Sequence, residues 1–96
     1  MDHRIRGLFE SLVDNYFSQN KIRLFVSAIQ DFKPYIKSES DFVYGWVLGI
    51  LKANFTDFIY SVEKRAPTSE ELEEVNNILK RRSVELRTII NREIMR

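Results

Sequence analysis

The sequence predicts an all-α fold: a compact bundle of about four helices forming one helical domain over residues 1–96, with helix three central and the C-terminal helix four longest. Apolar residues recur at three- and four-residue spacings through most of the chain, the period of helices that bury one face. Three glycines and two prolines in 96 residues are too few turn formers for an all-β arrangement. The segment "RAPTSEE" (65–71) then joins a helix stop, Pro67, to a capped helix start.

Helix one is expected from about Arg4 to Phe17, where Ile5, Leu8, Phe9, Leu12, Val13 and Tyr16 make one apolar stripe. The next apolar set is Ile22, Phe25, Val26, Ile29 and Phe32. Continued on one straight helix, it would sit about 110° away from the first, so a turn or kink is expected at Ser18–Asn20. Helix two should end near Phe32 or Lys33, because Pro34 disfavours helical geometry in the residue before it. Residues 34–40 read as a connector, with Ser38 or Ser40 as cap of helix three, Asp41 to Lys64. Helix four should start at Thr68, with Glu71 reaching back to the cap, and run unbroken nearly to Arg96. Its glutamates come early and its basic residues late, the polarity a helix dipole favours.

Charge and composition narrow the function classes. Fifteen lysines and arginines nearly balance fourteen aspartates and glutamates, a net charge of +1. That balance gives no general support to a nucleic-acid binder. There is no cysteine, which excludes disulfides, thiolate metal sites and cysteine nucleophiles. The charged start "MDHRIRGLFE" lacks a signal-peptide apolar segment, and a cytoplasmic setting is the expectation. His3, near the terminus, is a poor catalyst or ligand. Glu70 and Glu74, one turn apart, read as dipole compensation. No phosphate loop, catalytic triad or zinc motif occurs, so neither enzymatic activity, cofactor nor metal is expected.

Helix three holds two glycines in its most apolar stretch, "YGWVLGILKANF" (44–55). Glycine costs a helix interior about 1 kcal/mol relative to alanine. Gly45, Gly49 and Ala53 form a ladder of small residues beside Trp46, opposite an apolar arc of Val43, Val47, Ile50, Leu51, Phe58 and Val62. A membrane helix is not expected, since the uninterrupted apolar run from Phe42 to Leu51 is about half of the roughly 20 residues a span needs. Two readings remain. A central helix can be packed on both sides by its own neighbours, which small domains favour, or the ladder with Trp46 can be a partner surface.

Helix four adds a second candidate surface. Its apolar stripe is Leu72, Val75, Leu79, Leu86, Ile89 and Ile90, and Arg82 and Glu93 fall within the same arc. Read as a heptad seam, Arg82, Leu86, Ile89 and Glu93 could form a contact in which Arg82 of one antiparallel helix meets Glu93 of another. The competing reading places both charges where a monomer core emerges into water. Arg81, Arg92 and Arg96 follow one edge of the stripe and could track a phosphate backbone. The expected role is a non-catalytic protein–protein interaction module, a homodimer or a small subunit. Its contact residues would be Gly45, Trp46, Gly49, Ala53, Arg82, Leu86, Ile89 and Glu93. The alternative is a nucleic-acid-binding module using Arg81, Arg92 and Arg96.

Overall fold

Asp2 accepts a hydrogen bond from the Arg4 amide at 2.7 Å and starts α1, His3–Tyr16, in a computed structural model that describes all residues from Met1 to Arg96. The chain contains five α-helices and one short 3-10 helix, and no strand. The expected phase break falls at Phe17–Ser18, where the Ser18 hydroxyl accepts from the Lys21 amide at 3.3 Å and opens α2, Gln19–Ala28. The turn lets two apolar stripes of different phase face one core.

The end of α2 differs from the expectation. Its α-helical part stops at Ala28, and Gln30–Tyr35 tighten into the 3-10 helix, with Pro34 inside. The Gln30 side chain donates to the Val26 carbonyl at 2.7 Å and satisfies one of the acceptors left open at the end of α2. Pro34 has no amide hydrogen to continue an α-helical ladder, whereas a short 3-10 turn tolerates it.

Ser38, rather than Ser40, caps α3, Glu39–Glu63, by accepting from the Asp41 amide at 3.1 Å. Lys64 ends the helix in the left-handed region, at φ 57°. The capping box at the start of α4, Ser69–Arg81, is formed as read from the sequence. The Glu71 amide donates to Thr68 Oγ1 at 3.1 Å, and the Thr68 amide donates to Glu71 Oε1 at 2.9 Å.

The single long fourth helix is not formed. Arg82, at φ −101° and ψ 10°, breaks it into α4 and α5, Ser83–Ile94. The 25-residue α3 is therefore the longest element. The reason lies in what each half packs on. Ion pairs hold α4 to α1, through Arg81–Glu10 at 3.2 Å, and α5 to α2 and α3, through Arg23–Glu93 at 3.3 Å and Arg87–Asp41 at 2.6 Å. A straight helix over 69–96 would be about 42 Å long and could not serve both sites. The bend at Arg82 brings Val75, Ile78 and Leu79 of α4, and Leu86 and Ile90 of α5, into one buried cluster of 18 apolar side chains. Ile78, outside the expected stripe, is buried, whereas Leu72, within it, is exposed.

The buried residues of α3 are Val43, Val47, Leu51, Phe55 and Ile59, a strict four-residue ladder. At 100° per residue this ridge turns about 160° around the helix from end to end. Different neighbours therefore meet its two halves. The first half lies against α2 and α5, as in the Phe25–Trp46 ring contact and the Arg87 guanidinium 4.0 Å above Tyr44. The second half lies against α1, as in the edge contact of Phe9 with Phe55 at 5.6 Å. Helix three is thus central, but Val62, expected in its core arc, is exposed.

Candidate interaction surface

Phe42, Trp46, Gly49, Ala53, Thr56 and Tyr60 follow one another along α3 at alternating steps of four and three. That is the spacing of a heptad seam, and it keeps all six on one stripe of the helix. At mid-helix the stripe lies opposite the buried ridge, since Gly49 and Leu51 are about 200° apart, while at each end the ridge turns towards it. Gly45, Gly49 and Ala53 are exposed. A Cβ added at Gly45 or Gly49 would meet no atom within 4 Å. Of the two readings left open for this ladder, close packing by the protein's own helices is not what the structure shows. The chain's own helices gather along the 43–59 ridge, and α4, tied by its ion pairs to α1, flanks the ladder without filling it: Asn76, Leu79 and Lys80 face Gly45 and Gly49 across a cleft of about 340 Å³.

The aromatic end of the stripe merges with α2 and the 3-10 helix. Trp46 stands edge-on to Phe25 at 4.6 Å and to Phe42 at 6.2 Å. A cleft of about 240 Å³ opens there, lined only by Ala28, Ile29, Phe32, Phe42 and Trp46. Leu24 is 66% exposed, Phe32 57%, Phe42 47%, Trp46 38% and Tyr60, at the far end, 54%. These exposures decide the nature of the face: it is apolar, and each side chain leaves a large part of its surface to solvent. Thr56 donates its hydroxyl to the Lys52 carbonyl at 3.0 Å and so presents no unsatisfied donor.

The residues of the second predicted surface, the seam of helix four, are engaged within the chain. Leu86 is fully buried and Ile89 half-buried against the core of the same chain. Arg82 and Glu93 each find partners within the chain. Arg82 pairs with Asp14 at 2.7 Å, Glu85 at 3.1 Å and Glu10 at 3.7 Å, and its guanidinium lies 5.1 Å from the Phe17 ring centre. Glu93 receives Arg23 at 3.3 Å, with Arg96 at 3.8 Å. Burial would raise the Glu93 carboxyl, but the donors Gln19 and Arg23 and the charges of Arg96 and Arg23 outweigh it and hold it below the ordinary value. Once the helix bends at Arg82, the two charges face different helices and lose the common stripe that linked them.

The bend also divides the arginine edge. Arg81 lies on α4, while Arg92 closes α5 and Arg96 follows it. Arg81 is paired with Glu10, and Arg96 lies beside Glu93. The break at Arg82 thus separates Arg81 from Arg92 and Arg96, and two of the three stand beside carboxylates.

Sequence reasoning passed over three contributors to the exposed face. Leu24 and Phe32 were hidden because the second apolar set looked like a single core stripe. Thr56 was hidden because it is polar, although the step from Ala53 is three and the step to Tyr60 is four. A separate apolar cleft of about 300 Å³ lies between α1 and α3 around Leu8, Leu12 and Phe58. It is about 160° around α3 from Phe42 and does not belong to the face. No helix is long and apolar enough to cross a membrane. No protein-family model, no curated protein and no solved structure matches the chain.

Proposed function

We propose that the protein is a non-catalytic interaction module whose contact surface is the solvent face of α3 with the adjoining residues of α2 and the 3-10 helix. One observation carries this reading: Phe42, Trp46, Phe32 and Leu24 form a continuous, partly exposed apolar patch beside a helix stripe whose glycines no other side chain touches. The largest exposed apolar patch of a monomer is often a functional surface. Trp46 is suited to the centre of such a contact, since tryptophan and tyrosine dominate the energetics of interfaces.

The test compares the protein with a Trp46→Glu variant. Association with itself is read by sedimentation, and association with other proteins by retention from a cell extract. The variant should keep its helical signal and lose whichever association the wild type shows. Should the wild type associate with nothing, or the variant associate equally well, the proposed function fails.

A further inference from the structure

The stripe on α3 has an order of sizes that bears on its occupant. Read from Phe42 to Tyr60 it is aromatic, aromatic, glycine, alanine, threonine, aromatic. In an antiparallel helix pair, residues of a seam meet at positions with a constant sum. About the level of residue 51, Phe42 meets Tyr60, Trp46 meets Thr56, and Gly49 meets Ala53. Each large group of the first half thus faces either the lone far aromatic or a small residue. The centre, where the helices cross most closely, holds only glycine and alanine. The cleft of about 240 Å³ at Phe32, Phe42 and Trp46 then lies at the level reached by Tyr60 of a second copy.

The helix dipoles favour the same orientation. The first turn of α3 carries Glu39 and Asp41, paired within the chain to Lys33 and Arg87, and its last residue is Glu63, followed by Lys64, which has no ion-pair partner in the chain. An antiparallel pair opposes the two dipoles favourably and brings Lys64 of each copy, together with Glu63, to the acidic start of the other. A parallel pair would align the dipoles and set the two acidic starts side by side. Lys52 flanks the crossing on both copies, and its long stem can carry the ammonium out to water.

Area is consistent with a modest complex. With 150–250 Å² per aromatic side chain, the exposed parts of Phe32, Phe42, Trp46 and Tyr60 amount to roughly 400 Å². Leu24, the α3 seam and its flanks add to that. A standard interface buries about 800 Å² on each partner, and weaker, reversible ones less.

We infer that the occupant of this face is a second copy of the chain, its α3 crossing antiparallel to the first about a two-fold axis between Gly49 and Ala53. This rests on the reading of the face as an interaction surface and names its partner.

Two measurements test it. In sedimentation, the mass should rise from that of the 11.4 kDa chain towards twice that value across the micromolar range. Trp46→Glu should remain monomeric over that range, and added salt should not dissolve the wild-type dimer. Because the chain has no cysteine, cross-linking can fix the register. An equimolar mixture of Gly49→Cys and Ala53→Cys proteins should form the mixed disulfide in several-fold excess over either self-linked product. A wild type that stays monomeric to high micromolar concentration overturns the inference. Self-linked products in excess of the mixed one overturn the antiparallel arrangement. A monomer that retains another protein through Trp46 overturns the second copy but leaves the interaction surface standing, whereas a monomer that retains nothing removes both.

Discussion

Arg82 and Asp14 stand 2.7 Å apart across the junction of α1 with the α4–α5 bend. Arg82 also reaches Glu10 and Glu85 and stacks near Phe17, so one side chain fastens the joint between two helices to a third. Its side chain is only 18% exposed, and its loss strands three carboxylates around an empty place. Arg82→Ala should therefore lower stability by about 1–2 kcal/mol in urea unfolding, most of it from lost packing and charge-assisted bonds and little from the exposed Asp14 pair alone. Combining Arg82→Glu with Glu93→Arg should restore nothing, because the two positions contact different helices. Recovery of stability by that double change would contradict the described arrangement.

Arg65 grips Glu71 with two nitrogens, at 2.8 and 3.0 Å, while the same carboxylate closes the capping box with Thr68. The Arg65 hydrogen bond first, and the Thr68 amide second, hold the Glu71 carboxyl down to about 2 from an ordinary value of 4.5. A carboxyl lowered on folding contributes stability that is present above its unfolded value and is lost as the pH falls through its folded value. The Glu71 contribution should thus be complete above about pH 4.5 and disappear between there and about pH 2. Glu93, also lowered, adds loss in the same direction. Glu71→Gln should cost about 1 kcal/mol at neutral pH, by weakening the cap and the ion pair, and should flatten the acid limb of a stability–pH curve. An unchanged acid limb would show that the pair contributes nothing.

Much of the local structure was legible because it depends on near neighbours. Thr68 and Glu71 are three residues apart, and Ser18 lies where two stripes change phase, so both helix starts could be placed before any contact was known. The break at Arg82 was not legible. Neither glycine nor proline marks it, and the apolar positions on either side remain compatible with one helix. It is imposed from outside, by α1 on one half and by α2 and α3 on the other. The same distant cause decided the candidate site. The ladder of Gly45, Gly49 and Ala53 was visible, but whether another helix of the chain covers it depends on which ridge of α3 the neighbours choose.

Gly45 offers a direct check of that choice. It lies within a helix, is exposed, and a methyl group there meets nothing within 4 Å. Gly45→Ala should raise the stability of the dilute, monomeric protein by about 1 kcal/mol, since alanine restricts the unfolded chain more and costs no contact. Thermal unfolding at low micromolar concentration reads this directly. A destabilised variant would mean that a neighbouring backbone does press on the ladder.

Arg87 joins α5 to the start of α3 by two different means. Its Nη1 pairs with Asp41 at 2.6 Å and donates to Ser40 at 3.3 Å, and its guanidinium carbon Cζ lies over the Tyr44 ring, 4.0 Å from the ring centre. The Asp41 pair is largely exposed and should be worth little by itself. The stacking needs a planar group, which lysine lacks. Arg87→Lys keeps the charge near Asp41 but gives up the stack, and should cost about 0.5–1 kcal/mol. Asp41→Asn keeps the stack and gives up the charge, and should cost about 0.5 kcal/mol or less. If the order of these two losses is reversed in denaturant titrations, the salt bridge rather than the ring contact holds α5 to α3. The dimer should respond differently from the fold. Asp41→Asn also removes one acid from the end that Lys64 of the second copy approaches, so it should weaken self-association more than Arg87→Lys does, whatever their ranking in stability.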